Sequence, residues 1–418
     1  MGQKRSVVIV GGGQAGLQLG CGLRDHSYAV EIVQDRSADE IARGKVLSSQ
    51  CMFDEALQNE RDLKLNFWDH TCPTVDSINF TVPAPDGSGA KAIDWNGELD
   101  RPAQSVDQRV KIPAWMAEFT RRGGALTIHQ AGVADLEDYA RRADLVIVAA
   151  GKGEITALFE RDPEKSPFDK PQRALALTSV VGMTPRPEHS AVCFNLIPTV
   201  GEYFVFPALT KSGPCEIMVF EGIPGGPMDC WRDVKTPAEH LAKSKWILDT
   251  FLPWEAERCR SVELTDANGI LSGAFAPTVR RPIGRLPSGA LVMGLADAVC
   301  LNDPITGQGS NNASKAAKIY LDAILAHGEA PFDAAFMQAA FDKFWSRAQF
   351  VTGWTNALLQ PPPPHVLNLM GSAQKFPALA RRIANGFDDP VDFFPWFAVP
   401  EEADKYLASL AAGSSDAE

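Results

Sequence analysis

The sequence predicts a mixed α/β fold, with a parallel βαβ unit at the N-terminus, a mostly antiparallel sheet inserted after it, and helices toward the C-terminus. Three observations predict it. Ser6 to Val10 (SVVIV) is a β-branched run that leads at once into Gly11-Gly12-Gly13-Gln14-Ala15-Gly16 and an amphipathic helix. The middle of the chain, about residues 173–282, alternates strand-like runs with Gly and Pro. Near Ala290 the chain returns to a buried strand, a second glycine-rich turn and long helical stretches.

The first strand has the composition of one buried on both faces of a parallel sheet. The helix after it carries Leu17, Leu19 and Leu23, and a second strand, Tyr28 to Val33, ends at Gln34-Asp35-Arg36. This order and glycine spacing form the dinucleotide-binding fingerprint. Gly11 permits the tight turn, Gly13 lets the backbone approach a pyrophosphate, and Gly16 lets helix and strand pack closely. The N–H groups of the first helical turn, at Gln14 and Ala15, then face the phosphates. An acid is expected at the end of the second strand to hold the ribose hydroxyls. Gln34 stands there instead, followed by Asp35, and this suits a nucleotide that comes and goes.

Asp144 to Ala150 (DLVIVAA) is a further buried strand, ending at Gly151-Lys152-Gly153. Before it lie Leu47 to Phe53, a Gly/Pro-rich stretch from Pro83 to Gly97, and a helix near Ala114 to Arg121. In the middle of the chain Ala191 to Ile197, Tyr203 to Phe206 and Glu216 to Phe220 read as strands. Thr236-Pro237-Ala238-Glu239 is a capping box with proline at the first helical position. After the strand Ala290 to Met293 come Asp297 and then Asp303-Pro304-Ile305-Thr306-Gly307-Gln308-Gly309-Ser310-Asn311. A helix from Ser310 is expected to stop at an αL cap on Gly328, and another to run from Asp333 to Phe350. The expected organisation is a nucleotide domain of residues 1–172 and 283–330, with some pocket segments within 45–105. A substrate-binding sheet (173–282), a helical region (331–410) and a disordered tail (411–418) complete it.

A chain of 418 residues exceeds the usual size of one compact domain. Its formal net charge of −12 argues against a nucleic-acid partner, which needs a basic surface. No apolar run is long enough to cross a bilayer, and no secretory segment follows Met1. Met1 to Ser6 fits a loose myristoylation pattern, discounted because the chain enters a buried strand at Ser6. Eight scattered cysteines without a Cys-x-x-Cys pair point to a reducing cytoplasm, and the seven histidines show no metal-ligand spacing.

Asp297 can accept from ribityl or ribose hydroxyls. The helix mouth at Gly307 to Asn311 can offer N–H groups to a flavin pyrimidine, where negative charge accumulates on reduction. Together with the N-terminal fingerprint, this resembles the para-hydroxybenzoate hydroxylase type of FAD enzyme. Three stretches narrow the resemblance: Ser166-Pro167-Phe168-Asp169-Lys170-Pro171-Gln172-Arg173-Ala174-Leu175, Val106-Asp107-Gln108-Arg109 and Gly353-Trp354-Thr355-Asn356. On these the chain is similar to the two-component FAD-dependent styrene/indole monooxygenases, from the first strand to about residue 360. The resemblance implies a para-hydroxybenzoate-hydroxylase-like fold, FAD used as diffusible FADH2, and a separate NADH-dependent flavin reductase as partner. The cofactor would be held by Gly11, Gly13, Gln14, Ala15, Gly16, Gln34, Asp35, Arg36, Lys45, Arg109 and Asp297. Pro304 and Gly307, Gln308, Gly309, Ser310 and Asn311 would line the isoalloxazine.

Within that family the styrene branch carries Asn, Val and His where this chain has Ser48, Gln50 and Met52. It carries Tyr, His and Ser where this chain has Val75, Ile78 and Ala103. All six positions match the indole branch. Ser48 and Gln50 are the candidates to hydrogen-bond the flavin, the peroxide or the indole N–H. The other four would shape the pocket, although each alone reads more readily as an ordinary core residue. The implied reaction begins with a C4a-hydroperoxide of reduced FAD, whose distal oxygen is attacked by the C2=C3 bond of indole. The epoxide then leads to indoxyl and indigo, with styrene epoxidation and sulfoxidation expected beside it. Three alternatives stand: a styrene monooxygenase, a single-component NAD(P)H-dependent aromatic hydroxylase, and a non-enzymatic flavin-binding redox sensor. A flavin-dependent halogenase shares the fold but would carry a Trp-x-Trp-x-Ile-Pro segment, which is absent from the sequence. The chain has one dinucleotide fingerprint and no room for a fused reductase, and its oligomeric state is open, a homodimer included.

Overall fold

The structure is a computed structural model and describes residues 5–151, 153–186 and 189–415. Met1 to Lys4 of the acylation pattern, Lys152, and residues 416–418 of the expected tail lie outside the described residues. In chain order the first elements are β1 (Ser6–Val10), α1 (Gln14–Asp25), β2 (Ala29–Gln34), α2 (Ala38–Arg43) and α3 (Asp54–Asp62). Next come β3 (Thr74–Pro83), β4 (Lys91–Gln104), α4 (Gln108–Arg121), β5 (Ala125–Ile128), α5 (Val133–Arg142) and β6 (Leu145–Val148). The middle holds β7 (Ala174–Val181), β8 (Ala191–Ile197), β9 (Gly201–Thr210), β10 (Gly213–Gly222), α6 (Pro237–Phe251) and α7 (Pro253–Arg258). Short strands follow: β11 (Glu263–Leu264), β12 (Ile270–Gly273), β13 (Thr278–Val279), β14 (Ile283–Arg285), β15 (Leu291–Gly294) and β16 (Cys300–Leu301). The last helices are α8 (Gly309–His327), α9 (Ala334–Leu358), α10 (Pro364–Ser372), α11 (Pro377–Asn385) and α12 (Pro400–Ser415).

The nucleotide-type sheet has six strands in the order β14-β15-β6-β1-β2-β5. It is parallel except where β14 meets β15. Val7 to Val10 pair with Val30 to Val33 on one side and Leu145 to Val148 on the other. Buried on both faces, β1 has no polar side to alternate with, which is why it reads as an unbroken apolar run.

The second sheet has eight strands, ordered β11-β7-β10-β9-β8-β3-β4 with β12 also on β7. It is antiparallel except for the β3–β8 pair. Two of its strands, β3 and β4, come from before β6, within the segment expected to supply pocket residues. Its side chains alternate cleanly. Leu177, Phe204, Phe206 and Val219 face a core shared with α10, α11 and α12, whereas Ala176, Tyr203, Val205 and Phe220 face α6.

Local signals placed β1 and β8 to the residue, and the Thr236 capping box forms as expected, its hydroxyl accepting from Glu239 N at 3.2 Å. Other boundaries moved for identifiable reasons. The helix expected from Ala114 begins at Gln108, because the Asp107 carboxylate caps it by accepting from Arg109 N at 2.8 Å. The Gly/Pro-rich stretch 83–97 is half strand: only its first part turns, and β4 begins at Lys91 to pair with β3. Gly328 does end α8 at positive φ (60°), but its ψ of −132° lies outside the αL region. The tail expected to be disordered continues α12 through Ser415, in an alanine-rich segment whose Leu407 and Leu410 pack on the apolar core.

Candidate active site

The N-terminal turn is built around glycines with different duties. Gly11 has φ 116°, and a Cβ there would lie 2.8 Å from the Ala149 carbonyl carbon. A Cβ on Gly16 would lie 1.9 Å from the Gly11 carbonyl oxygen. Around Gly13, by contrast, a Cβ would meet nothing within 4 Å, and Gly13 caps α1 without any side-chain hydrogen bond. Gln34 turns its amide oxygen inward to accept from Gly12 N at 2.8 Å, so it braces the turn itself. Gln14 also points inward, donating to Glu60 at 2.9 Å, and Glu60 forms a buried ion pair with Lys111 at 2.7 Å. Asp35 and Arg36 pair with each other at 3.5 Å, and Lys45 is exposed.

The second glycine-rich turn lies across from this one. Asp297 follows Ala296, whose φ of 52° is a left-handed conformation that costs a non-glycine residue about 1 kcal/mol. A Cβ on Gly151, at the end of β6, would come within 2.8 Å of the Asp297 Cβ, so the two segments touch. Asp303 caps a short 3-10 turn, accepting from Ile305 N at 3.1 Å, with Pro304 at its first position. Gly307 takes the αL conformation (φ 64°), and α8 then starts at Gly309 with no side-chain cap and open space around that glycine. Gln308 is buried and donates to Phe387 O at 2.8 Å, while Ser310 is half-buried.

Between the turns runs the irregular segment 44–53. Ser48 Oγ donates to Gln50 Oε1 at 3.3 Å, and Gln50 Nε2 donates to Val106 O. Met52 exchanges both backbone hydrogen bonds with Gln104, at 2.8 and 3.0 Å. Beside it Val75 pairs with Ala103 across β3 and β4. A bulge between Val75 and Ser77 returns Val75 to the face that carries Ile78 and Phe80. Met52, Val75, Ile78 and Ala103 are all buried to 1% exposure or less, so the core reading of each also holds. Asn311 of α8 ties this segment to the second turn: Nδ2 donates to Cys51 O at 2.8 Å, and Oδ1 accepts from Phe53 N at 2.9 Å.

Arg109, expected to hold the nucleotide, has its guanidinium between Asp107 and Asp266, donating to the latter at 2.9 and 3.1 Å. Asn268 beside Asp266 in turn accepts from Val46 N at 2.9 Å and donates to Arg43 O at 2.8 Å. The 106–109 motif therefore braces the segment that carries Lys45, Ser48 and Gln50. The other two motifs meet at the second turn. Thr355 bonds Thr306 at 2.7 Å, and Trp354 packs against Phe387 and Phe393. Arg173 donates to Glu202 at 2.6 and 2.9 Å, in a buried group that also includes Glu221 and Asp303. Sequence reasoning named Asp303 only as the start of the second turn and missed Glu202 and Glu221; the one signal available for those two was an acid at an inward-facing position of a strand. An open cleft of about 510 Å³ lined by Cys230, Asp233, Lys243 and Trp246 lies beside α6, against the opposite face of the sheet, and shares no residue with this region.

Two uncapped helix N-termini, one preceded by a glycine with open space where a Cβ would be, fit a flavin nucleotide. The mouth of α1 suits its phosphates, and that of α8 suits a ring that gains negative charge on reduction. Residues 151–258 match the family model described as "Styrene monooxygenase A putative substrate binding domain". Styrene monooxygenase StyA of Pseudomonas fluorescens is 30% identical over 422 residues, covering 98% of this chain and 100% of that protein. StyA of a Pseudomonas species is 30% identical over 417 residues, covering 98% and 99%.

The chain belongs to the styrene monooxygenase family. This styrene monooxygenase family member also superposes on the flavin-dependent brominase Bmp2 with a TM-score of 0.67, over 97% of this chain and 100% of the other. At 16% identity that likeness shows the fold alone. It is the expected para-hydroxybenzoate-hydroxylase-like architecture: a Rossmann-type domain, an inserted mostly antiparallel sheet and C-terminal helices. Among the described residues no helix is long and apolar enough to cross a membrane.

Proposed function

We propose that this protein is the oxygenase component of a two-component flavin monooxygenase. It takes FADH2 from a separate NADH-dependent flavin reductase and, with O2, epoxidises indole at its C2=C3 bond, leading to indoxyl and indigo. Reduced FAD, when bound, activates O2 and supplies the electrophilic oxygen. The chain's part is to hold the cofactor at the mouths of α1 and α8, orient the substrate and keep water out. An alkene needs no proton removed, so a pocket wall of Met52, Val75, Ile78 and Ala103, with the neutral Ser48 and Gln50 on the adjoining segment, suits the reaction.

The observation that carries the indole reading is the setting of Gln50. Val106 O accepts from its amide nitrogen, which leaves the amide oxygen, next to Ser48, as the group free to take a further donor. Indole brings an N–H to such an acceptor, and styrene brings none. A second reading, styrene as the preferred substrate, is favoured by the names of both Pseudomonas relatives. One experiment separates them: chemically reduced FAD is added in air to the purified protein with indole and styrene in parallel. Blue pigment and indole consumption outpacing styrene oxide is the expected result. Styrene oxide in excess would establish the second reading. Autoxidation without product from either would overturn the oxygenase assignment and bring forward the single-component hydroxylase.

A further inference from the structure

The large sheet is mostly apolar on the face turned toward α10, α11 and α12, and one end of that face is charged. There Arg173 leads into β7, Glu202 stands near the start of β9, and Glu221 lies near the end of β10, directly opposite Glu202 and Leu175 in the ladder. Their neighbours on that face are Leu177, Phe204 and Val219. Asp303, the residue before Pro304, enters the same place from the second glycine-rich turn. Glu221 is 0% and Asp303 1% exposed. Arg173 commits its guanidinium to Glu202. Among the described residues neither oxygen of Glu221 receives an N–H or O–H from another group, and Asp303 takes only the Ile305 N–H on Oδ1, its Oδ2 having no such donor. The two carboxyls instead lie in hydrogen-bonding contact with each other. Two bare carboxylates would not rest there, since burial disfavours each charge and like charges in contact add to that. A proton between them turns the repulsion into a short, charge-assisted hydrogen bond.

We propose that Glu221 and Asp303 hold one proton between them, and that this bond positions the Asp303–Gly307 turn so that the mouth of α8 is shaped to receive flavin. The turn's purpose rests on the flavin reading above; the shared proton does not. Among the described residues the charged groups facing the pair are Arg173 and Glu202 from the sheet, while α9 and the residue after it contribute uncharged groups, Thr355 to Thr306 and Leu359 O to Arg173. Burial first, then mutual repulsion, pushes the Glu221 carboxyl well above its ordinary range, against the pull of Arg173. Burial likewise raises Asp303. As pH rises through the pair's titration the proton leaves, two like charges face each other, and the turn loosens. Both are positioning residues.

The test reads the proton and the turn separately. Infrared spectra of the flavin-free protein near neutral pH should show the carbonyl band of a protonated carboxylic acid. That band should be lost in Glu221→Gln and in Asp303→Asn. No such band in the wild-type protein overturns the shared proton. Fluorescence titration with oxidised FAD should then show wild-type affinity falling roughly tenfold or more as pH is raised until the band is lost, in step with it. Glu221→Gln, whose amide donates at every pH, should hold its affinity across that range. Equal pH dependence in the two proteins overturns the positioning role. So does a band component that is missing from Glu221→Gln, and is therefore not that of Glu216, whose carboxyl burial raises to about 7, if it titrates without any change in affinity. Absence of FAD binding at any pH would refute the flavin reading, and with it the turn's role, while the band still decides the proton.

Discussion

Gly13 and Gly16 stand in one turn, and only one of them is required by the protein itself. A methyl group on Gly16 has nowhere to go, because the Gly11 carbonyl it meets at 1.9 Å is backbone held on both sides. Gly16→Ala should cost about 3 kcal/mol or more and melt the protein far below wild type. A methyl on Gly13 meets open space at a φ of −87° that alanine adopts freely. Gly13→Ala should cost about 1 kcal/mol or less, the difference between glycine and alanine as a helix cap. Yet if a pyrophosphate lies there, FAD affinity should fall at least as far as in a fold-damaged variant. Calorimetric melting beside an FAD titration checks both. A Gly13→Ala protein that binds FAD like wild type would remove the nucleotide from that turn. The fingerprint was legible because its glycines act within a few residues of each other. Gln34 was legible only as a departure from pattern, since its partner, Gly12 N, lies on the neighbouring segment of the turn.

Elements meet through a few buried polar side chains, and Asn311 joins α8 to segment 44–53. It satisfies Cys51 O and Phe53 N together, two backbone groups that no strand pairing serves. Asn311→Ala should orphan both, at about 1–3 kcal/mol each for a buried group left unpaired. The expected outcome is a lower melting temperature and faster amide exchange at Phe53, with exchange in β1 and β6 unchanged. Protection at Phe53 equal to wild type would mean that the segment is held by the Met52–Gln104 bridge alone. Strands such as β8 and caps such as Thr236 could be read from the sequence because their causes are local. The start of β4 could not, because it exists by pairing with β3. Glu221 and Asp303 could not either: only the closure of the sheet on the second turn brings them together.

At the scale of the molecule, the segment matched by the substrate-binding family model, residues 151–258, is part of a sheet and not a closed unit. Its β8 is completed by β3, from Ser77 opposite Ala191 to Thr81 opposite Asn195, and β3 is completed by β4. The inner face that carries Leu177, Val192, Phe204, Phe206 and Val219 is covered by helices from the last part of the chain. A fragment of residues 151–258 would therefore expose an unpaired strand edge and a large apolar face at once, the two features that promote aggregation most directly. Expressed alone, it should run as soluble aggregate on a sizing column and melt without a cooperative transition. Adding residues 74–104 in trans should not rescue it, because α10 to α12 would still be missing from the inner face. A monomeric, cooperatively melting fragment would show that the sheet folds by itself. The β3–β4 pair would then be an addition to a finished domain, whereas the ladder and the shared core make it a condition of folding.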